Sequence, residues 1–435
     1  MSEWQATNRL ESLVDFMSGT GFSEHFQGQS AGDIPFYKVS DMSTPGNELH
    51  LKKANNYVSA ELARSQGWKI IPAGAVVFAK VGAALLLNRR RILSCASLID
   101  NNMMAALPKE ATSTGWIYWQ LLSVDFADFA QDGALPSVNQ KQLHGILIPS
   151  LGAANEDQAV EILDTLDTVI RETEALIDKL QAVKRGLLHD LLTRGIDANG
   201  QLRPPQSEAP QLYKESRLGM IPREWVIHAV SDIARVTVGH VGPIEEHFSE
   251  GDGSVPLLST TSIGEDGRLH GELRYVSASF DRTHGNSHLF PADLIVARHG
   301  KSGLTAVVPE EISAAQSLNV VIVRASPMFI SGFLAASLNH PPTRSRLLGG
   351  QAGSVQPIVG TRAVASLEVA IPGREEQLAI WARNEALMTK IDLEVQYVES
   401  LRAIKQGLMD DLLTGRVRVT PLLESMLQAA APTGA

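Results

Sequence analysis

The fourteen residues LQAVKRGLLHDLLT, Leu180–Thr193, return 221 positions later as LRAIKQGLMDDLLT, Leu401–Thr414, with nine of the fourteen identical. Each copy ends a long stretch with helical periodicity. In the first, apolar or small residues recur at Ala159, Ile162, Leu166, Val169, Thr173, Leu176, Leu180, Val183 and Leu187. In the second they recur at Ile380, Leu387, Ile391, Val395, Val398, Leu401, Ile404, Leu408 and Leu412. A seam kept over four or more heptads argues for coiled coil rather than an ordinary surface helix. End signals agree. Asn155 with Gln158 forms a candidate capping box, and Glu156 and Asp157 suit a helix N-terminus. Pro372 and Glu375-Glu376 mark the second start, and Gly195 and Gly415 follow the two ends. Each helix is then about 40 residues, roughly 60 Å at 1.5 Å per residue. A rod that long cannot be the core of one compact domain; it spaces things apart.

The duplication reaches beyond the helices. Glu3-Trp4 and Glu224-Trp225 stand at the same offset, as do Gly32–Asp41 and Gly253–Ser262. Val58-Ser-Ala and Pro72–Gly82 are echoed by Val276-Ser-Ala and Pro291–Gly300. Each unit closes with a Gly-to-Pro loop (133–136 and 353–357) and an Ile-Pro pair, Ile148-Pro149 and Ile371-Pro372. The chain therefore divides into globular residues 1–150, a helix over 151–196, a linker over 197–223, globular residues 224–372, a helix over 373–416 and a tail over 417–435. The globular parts are expected to be mixed α/β (α+β). Short β-branched runs bounded by Gly and Pro predict strands at 34–39, 75–79 and 145–148, then at 255–258, 294–297, 319–323 and 367–371. Residues 115–128 and 328–338 predict short helices. The proline-rich linker predicts an extended connection.

The net charge of −10 is wrong for a simple nucleic-acid binder, but its distribution matters more. Residues 1–150 hold 12 basic and 13 acidic side chains, and residues 201–372 hold 14 and 16. The surplus of acid lies in the helices and their flanks, so both globular parts can present local basic faces. A single cysteine, Cys95, excludes an internal disulfide and a cysteine metal site, and points to a reducing cytoplasm. The polar N-terminus lacks a secretory core, and the longest apolar stretch, 73–87, is interrupted by Lys80 and too short for a bilayer.

Catalytic signatures are absent. His299-Gly-Lys-Ser302 resembles the end of a phosphate loop, but Ile295 stands where its first glycine belongs. Asn339-His-Pro-Pro342 resembles the loop of DNA amino-methyltransferases, but Thr343 replaces the stacking aromatic, and the segment reads as a helix-ending turn. In the second globular part His240, His247, His270, His284, His288 and His299 have no metal-ligand spacing. What remains is polar and basic loops at matching places. In the first part these are Lys38, Ser40 and Asp41, then Lys80, then Arg89, Arg90 and Arg91. In the second they are Ser259, Thr260 and Thr261, then Arg298, His299 and Lys301, then Arg344 and Arg346. Lys and Arg supply sequence-independent affinity for phosphates, and hydroxyl, amide and guanidinium groups read base edges. Each position taken singly reads rather as a solvated loop charge; it is their recurrence as a set at matching places that brings the DNA-contacting reading level with it.

In this order, twice, these features resemble the specificity subunits of type I restriction–modification systems. The resemblance rests on Glu-Trp, Gly32-Asp-Ile-Pro-Phe-x-Lys-Val-Ser-Asp-Met42, Gly353-Ser-Val-Gln-Pro357, Ile371-Pro372 with Glu376-Gln377, and the paired helix endings Lys-x-Gly-Leu-x-x-Asp-Leu-Leu-Thr. At Gly133-Ala-Leu-Pro-Ser137 the first unit departs from the pattern, since no Gln precedes the Pro. The resemblance implies two tandem target-recognition domains, each reading half of a split, asymmetric site in double-stranded DNA. It implies a non-catalytic chain whose helices space the domains and dock two methyltransferase subunits, with restriction/translocase subunits beyond. Adenosylmethionine, ATP and Mg²⁺ would sit on those partners. A coiled-coil adaptor with two protein-binding ends is the alternative from another class.

The connectivity favours an antiparallel, pseudo-twofold helix pair in which facing residue numbers total about 570. Val169 is then expected near Leu401, Leu176 near Val395 and Val183 near Leu387. Trp381 is expected beside Gly186. Gly186 and Gly407, costly inside helices at about 1 kcal/mol each, are expected at a close approach of the partner helix or of a docked subunit. The return path brings the chain near Arg416 back beside the first globular part, so a circular permutant joining the ends is expected to fold.

Overall fold

The structure, a computed structural model, describes residues 7–130, 135–251, 253–349 and 358–417. Glu3-Trp4, Gly133-Ala134 and Gly353–Pro357, used above, lie outside these residues. The chain forms two units, Met1–Glu174 with Gln396–Ala435, and Ala175–Val395.

In the first unit, Val76–Ala79 runs inside a five-stranded sheet ordered Val14–Ser18, Met103–Pro108, Val76–Ala79, Arg90–Leu93, His50–Leu51. Strand side chains alternate between faces, and here both faces are covered. Val76 and Phe78 enter one core with Trp116, Trp119 and Phe126, while Ala75 and Val77 enter another with Tyr37, Met42 and Leu51. A second, three-stranded sheet has Ile34–Tyr37 at its centre, antiparallel to Asn56–Val58 and parallel to Leu98–Ile99. Thr7–Arg9 pairs with Leu147–Pro149.

The second unit repeats this pattern. Leu294–Ala297 lies inside a four-stranded sheet with Ala234–Val238, Val320–Ala325 and Thr305–Val307. Leu294 and Val296 enter one core, Ile295 and Ala297 another. Val255–Ser259 is antiparallel to Arg274–Val276 and parallel to Ala315–Leu318, as Ile34–Tyr37 is to its own neighbours. Val226–Ala229 pairs with Glu368–Ile371. The expected mixture of helix and sheet is present.

The linker is not an extended connection. Tyr213–Ser216 and Gly219–Pro222 form a hairpin, and Arg203, 7% exposed, is buried against the second long helix. Its guanidinium donates to both Glu376 carboxylate oxygens, at 2.5 and 3.0 Å, and to Glu224 at 3.1 Å. The same Glu376 accepts from the Ile196 backbone N–H and the Trp225 indole N–H. The prolines read as extension stand in a folded strap, pinned by Arg203 to a carboxylate far along the chain.

The long helices span Ala153–Thr193 and Arg374–Leu412. In the first unit, Lys405 pairs with Asp167 and Arg402 with Glu174 at 2.5 Å. Numbers rise on one helix as they fall on the other, close to the expected total. Gln120 Nε2 donates to the Leu413 carbonyl at 2.8 Å, and Met409, Leu412 and Leu413 enter the first unit's core. Several expected seam positions stay open. Leu176 is 38% exposed, Val183 49%, Val395 37% and Ile404 52%. A straight α-helix drifts about 20° per heptad against a strict seven-residue repeat, so not every apolar position can face one partner.

Two glycine expectations are corrected. A Cβ at Gly186 or Gly407 would meet nothing within 4 Å, so neither marks a close approach within the chain. The indole of Trp381 lies instead over Gly332, where a Cβ would come within 2.2 Å of Cε2. In the first unit a Cβ on the corresponding short-helix residue, Gly115, would come within 2.5 Å of Val160 Cγ1. The close approaches are made by the short helices Thr114–Ser123 and Ser331–Asn339, which need glycine at their second residue so that the long helices can reach them.

Candidate nucleic-acid interface

In the first unit the strand Ile34–Tyr37 runs into a tight turn, Val39–Ser43. Asp41 builds that turn. Fully buried, it accepts from the Lys38 backbone N–H at 2.7 Å and the Asn55 amide at 2.7 Å. Burial pushes its carboxyl above the usual aspartate range despite those donors. Asp41 is therefore a scaffold and not a base reader. Ser40 is exposed at the tip. Lys38 reaches Gln27 Oε1 at 3.0 Å.

The arginine run splits by strand alternation. Arg89 bonds to Ser43 Oγ, and Arg91 donates to the Met42 carbonyl at 2.9 Å, so both lie beside the turn. Arg90 points the other way and is 1% exposed. It donates to the Leu121 and Val124 carbonyls at 3.1 and 3.3 Å and lies 3.6 Å from the Phe126 ring centroid. Burial holds its pKa down at about 9. Arg90 caps the C-terminal end of Thr114–Ser123, whose last carbonyls have no partner within the helix, and it is withdrawn from any interface. Lys80 is half-buried at the end of the central strand, where its carbonyl accepts from Val138 N–H at 2.9 Å.

In the second unit the equivalent turn, Thr260–Ser262, follows Val255–Ser259. Ser259 Oγ and Thr261 Oγ1 are 2.8 Å apart, with Thr261 exposed. Thr260 is 9% exposed and donates to the Asn319 carbonyl at 3.0 Å, so it supports the turn from within. Beside it lies the loop 298–303. Arg298 Nε donates to the Val359 carbonyl, Lys301 Nζ to the Ile263 carbonyl at 2.9 Å, and Arg344 Nε to the Ser302 carbonyl at 3.0 Å. His299 is exposed at the loop tip. Arg346 lies apart from this loop, bonded to Thr343 Oγ1 and the Glu368 carbonyl. In each unit, then, an exposed hydroxyl-bearing turn stands next to cations held by nearby backbone and side-chain oxygens. Such groups can contact phosphates and base edges together.

Asn339 donates to and accepts from the Thr305 backbone at 2.7 and 2.8 Å, which leaves Asn339-His-Pro-Pro342 as the turn between two helices. Sequence reading passed over Arg235 and Arg324, directly opposed on antiparallel strands. No local signal marks them, because only strand register brings residues so far apart in sequence together. Among the described residues there is no group of His, Cys, Asp or Glu able to hold a metal, and no helix long and apolar enough to cross a membrane.

No protein-family model matches the chain. Two curated proteins of Methanocaldococcus jannaschii do. The putative type I restriction enzyme MjaX specificity subunit is 23% identical over 287 residues, 65% of this chain and 62% of that protein. The type I restriction enzyme MjaVIII specificity subunit is 22% identical over 295 residues, 66% of each. The chain's curated relatives are type I specificity subunits. The matches span somewhat less than two thirds of each relative's length. The fold agrees over a longer span. The type I restriction–modification S subunit from M. genitalium superposes with a TM-score of 0.58 at 12% identity, covering 94% of this chain and 96% of that one. A chain from a structure concerned with complex assembly and conformational transition of the type I R-M system gives 0.51 at 12% identity, covering 95% and 98%.

Proposed function

We propose that this chain is the non-catalytic, DNA-recognising subunit of a type I restriction–modification system. The observation that carries the reading is that one strand pairing, with one exposed polar turn beside tethered cations, occurs twice in a chain whose curated relatives are specificity subunits. Each unit is a target-recognition domain that reads half of a split, asymmetric site in double-stranded DNA. The two long helices pair antiparallel as a coiled-coil spacer. The opposed pairs Asp167–Lys405 and Glu174–Arg402 support that direction. The spacer sets the gap between half-sites, near one helical turn of DNA so that both domains reach one face.

Two methyltransferase subunits and the restriction/translocase subunits assemble on this scaffold in the cytoplasm, and they carry adenosylmethionine, ATP and Mg²⁺. Gly186 and Gly407, with open space over both, fit docking of those subunits better than packing within the chain. The test is co-expression with an adenine methyltransferase subunit, followed by single-molecule mapping of methylated bases. The expected product is one bipartite, asymmetric motif with a fixed gap. Methylation at a continuous or palindromic motif, or none, overturns the reading.

A further inference from the structure

Between the two sheets of the second unit lies an open cleft of about 380 Å³, lined by Arg235, Thr237, Gly285, Asn286, His288 and Arg324 among others. Arg235 and Arg324 are register partners on antiparallel strands. Like charges placed directly opposite are destabilising unless something neutralises them. Arg324 is neutralised. It donates to both oxygens of Asp293 at 2.7 and 2.6 Å, and Asp293 is 2% exposed. His288 is likewise matched by Asp281, 2.6 Å from Nε2. The Arg235 side chain is exposed and makes no hydrogen bond or ion pair among the described residues. The cleft therefore holds one uncompensated positive charge, with a hydroxyl from Thr237 on the same strand face and an amide from Asn286 in the wall. A phosphodiester brings one negative charge and two acceptor oxygens, and it fits that set.

The strand also leads to the candidate reading turn. Beyond Val238, Gly239 and His240 bond to Val320 and Ser317, and Asn319, whose N–H donates to the His240 carbonyl, accepts from Thr260. Arg235 lies five residues before His240, roughly 16 Å along a strand, which puts it a few nucleotides from bases read at Thr261. We infer that this cleft is a backbone-phosphate site that holds DNA in register for the second recognition domain, with Arg235 as its anchoring cation. The inference rests on the DNA-recognition reading.

The test is binding of a random-sequence 40-base-pair duplex to the full chain across a salt series, comparing wild type, Arg235→Ala, Arg235→Lys and Arg217→Ala. Arg217 is a control, an exposed cation paired with Glu368 away from the cleft. Losing one phosphate contact lowers the slope of log affinity against log salt by about 0.9. Arg235→Ala is therefore expected to lose about threefold less affinity than wild type between 50 and 200 mM salt, while Arg235→Lys and Arg217→Ala keep the wild-type slope. An unchanged slope in Arg235→Ala, or an equal loss in Arg217→Ala, overturns the site and leaves the DNA reading standing. Absence of duplex binding by the wild type overturns both. Equal competition by millimolar inorganic phosphate against wild type and Arg235→Ala also counts against the site.

Discussion

Gly332→Ala sets two helix-level forces against each other. The new methyl would lie 2.2, 2.3 and 2.6 Å from Cε2, Cδ2 and Cζ2 of Trp381, against a carbon–carbon optimum of about 3.5–4.0 Å. The indole must retreat by more than an ångström from a packed position, and overpacking of this kind costs about 1–3 kcal/mol. Alanine's helix preference returns less than about 1 kcal/mol, because Gly332 is only the second residue of its helix. A net loss of about 1–2 kcal/mol is expected. Gly186→Ala has the opposite sign. It lies inside a long helix with nothing within 4 Å, so it should gain roughly 0.5–1 kcal/mol. The assay is urea unfolding followed by tryptophan fluorescence. Hydrogen exchange over residues 331–339 and 374–390 places the change, since a two-unit chain need not unfold in one step. If Gly332→Ala matched or exceeded wild-type stability, or Gly186→Ala lost stability, the packing argument would be refuted.

Arg90→Ala should destabilise the first unit by about 3 kcal/mol or more by stranding the Leu121 and Val124 carbonyls; thermal unfolding checks this, and under the proposed function the methylated motif should stay the same in the fraction that folds. The His340 ring lies tilted beside that of His189, their ring nitrogens 3.2 Å apart, and burial, then His189 and Arg346, hold its pKa down at about 4. Its folded value is below the ordinary histidine value, so the neutral ring's contribution is complete above about pH 6.5 and is lost as pH falls toward 4. His340→Asn should flatten the stability profile in that window, and an unchanged slope between pH 6.5 and 4 would contradict the assignment.

Much of the architecture could be read from repetition. The doubled helix ending located both long helices, and the runs VVFA and LIVA located the central strand of each unit. What escaped was set by distant partners. Arg89-Arg90-Arg91 reads as a basic surface, yet the carbonyls that draw Arg90 inside lie 31 and 34 residues away. Asp41 reads as a loop tip, but Asn55 makes it a buried brace. Gly186 and Gly407 stood out because they recur in an obvious repeat. The glycines at true close approaches, Gly115 and Gly332, sit in dissimilar short helices and became visible only with Val160 and Trp381 in place. The strap around Arg203 was hidden for the same reason, since its anchor, Glu376, lies 173 residues away.

The most direct test exchanges residues 1–150 for the same region of a relative with a different methylated sequence. The methyltransferase subunits are kept constant, and the methylated motif is mapped in cells. Two independent readers on a fixed spacer require that one half of the motif change while the other half and the gap stay the same. A change in both halves, or in the gap alone, would contradict recognition by two separate domains.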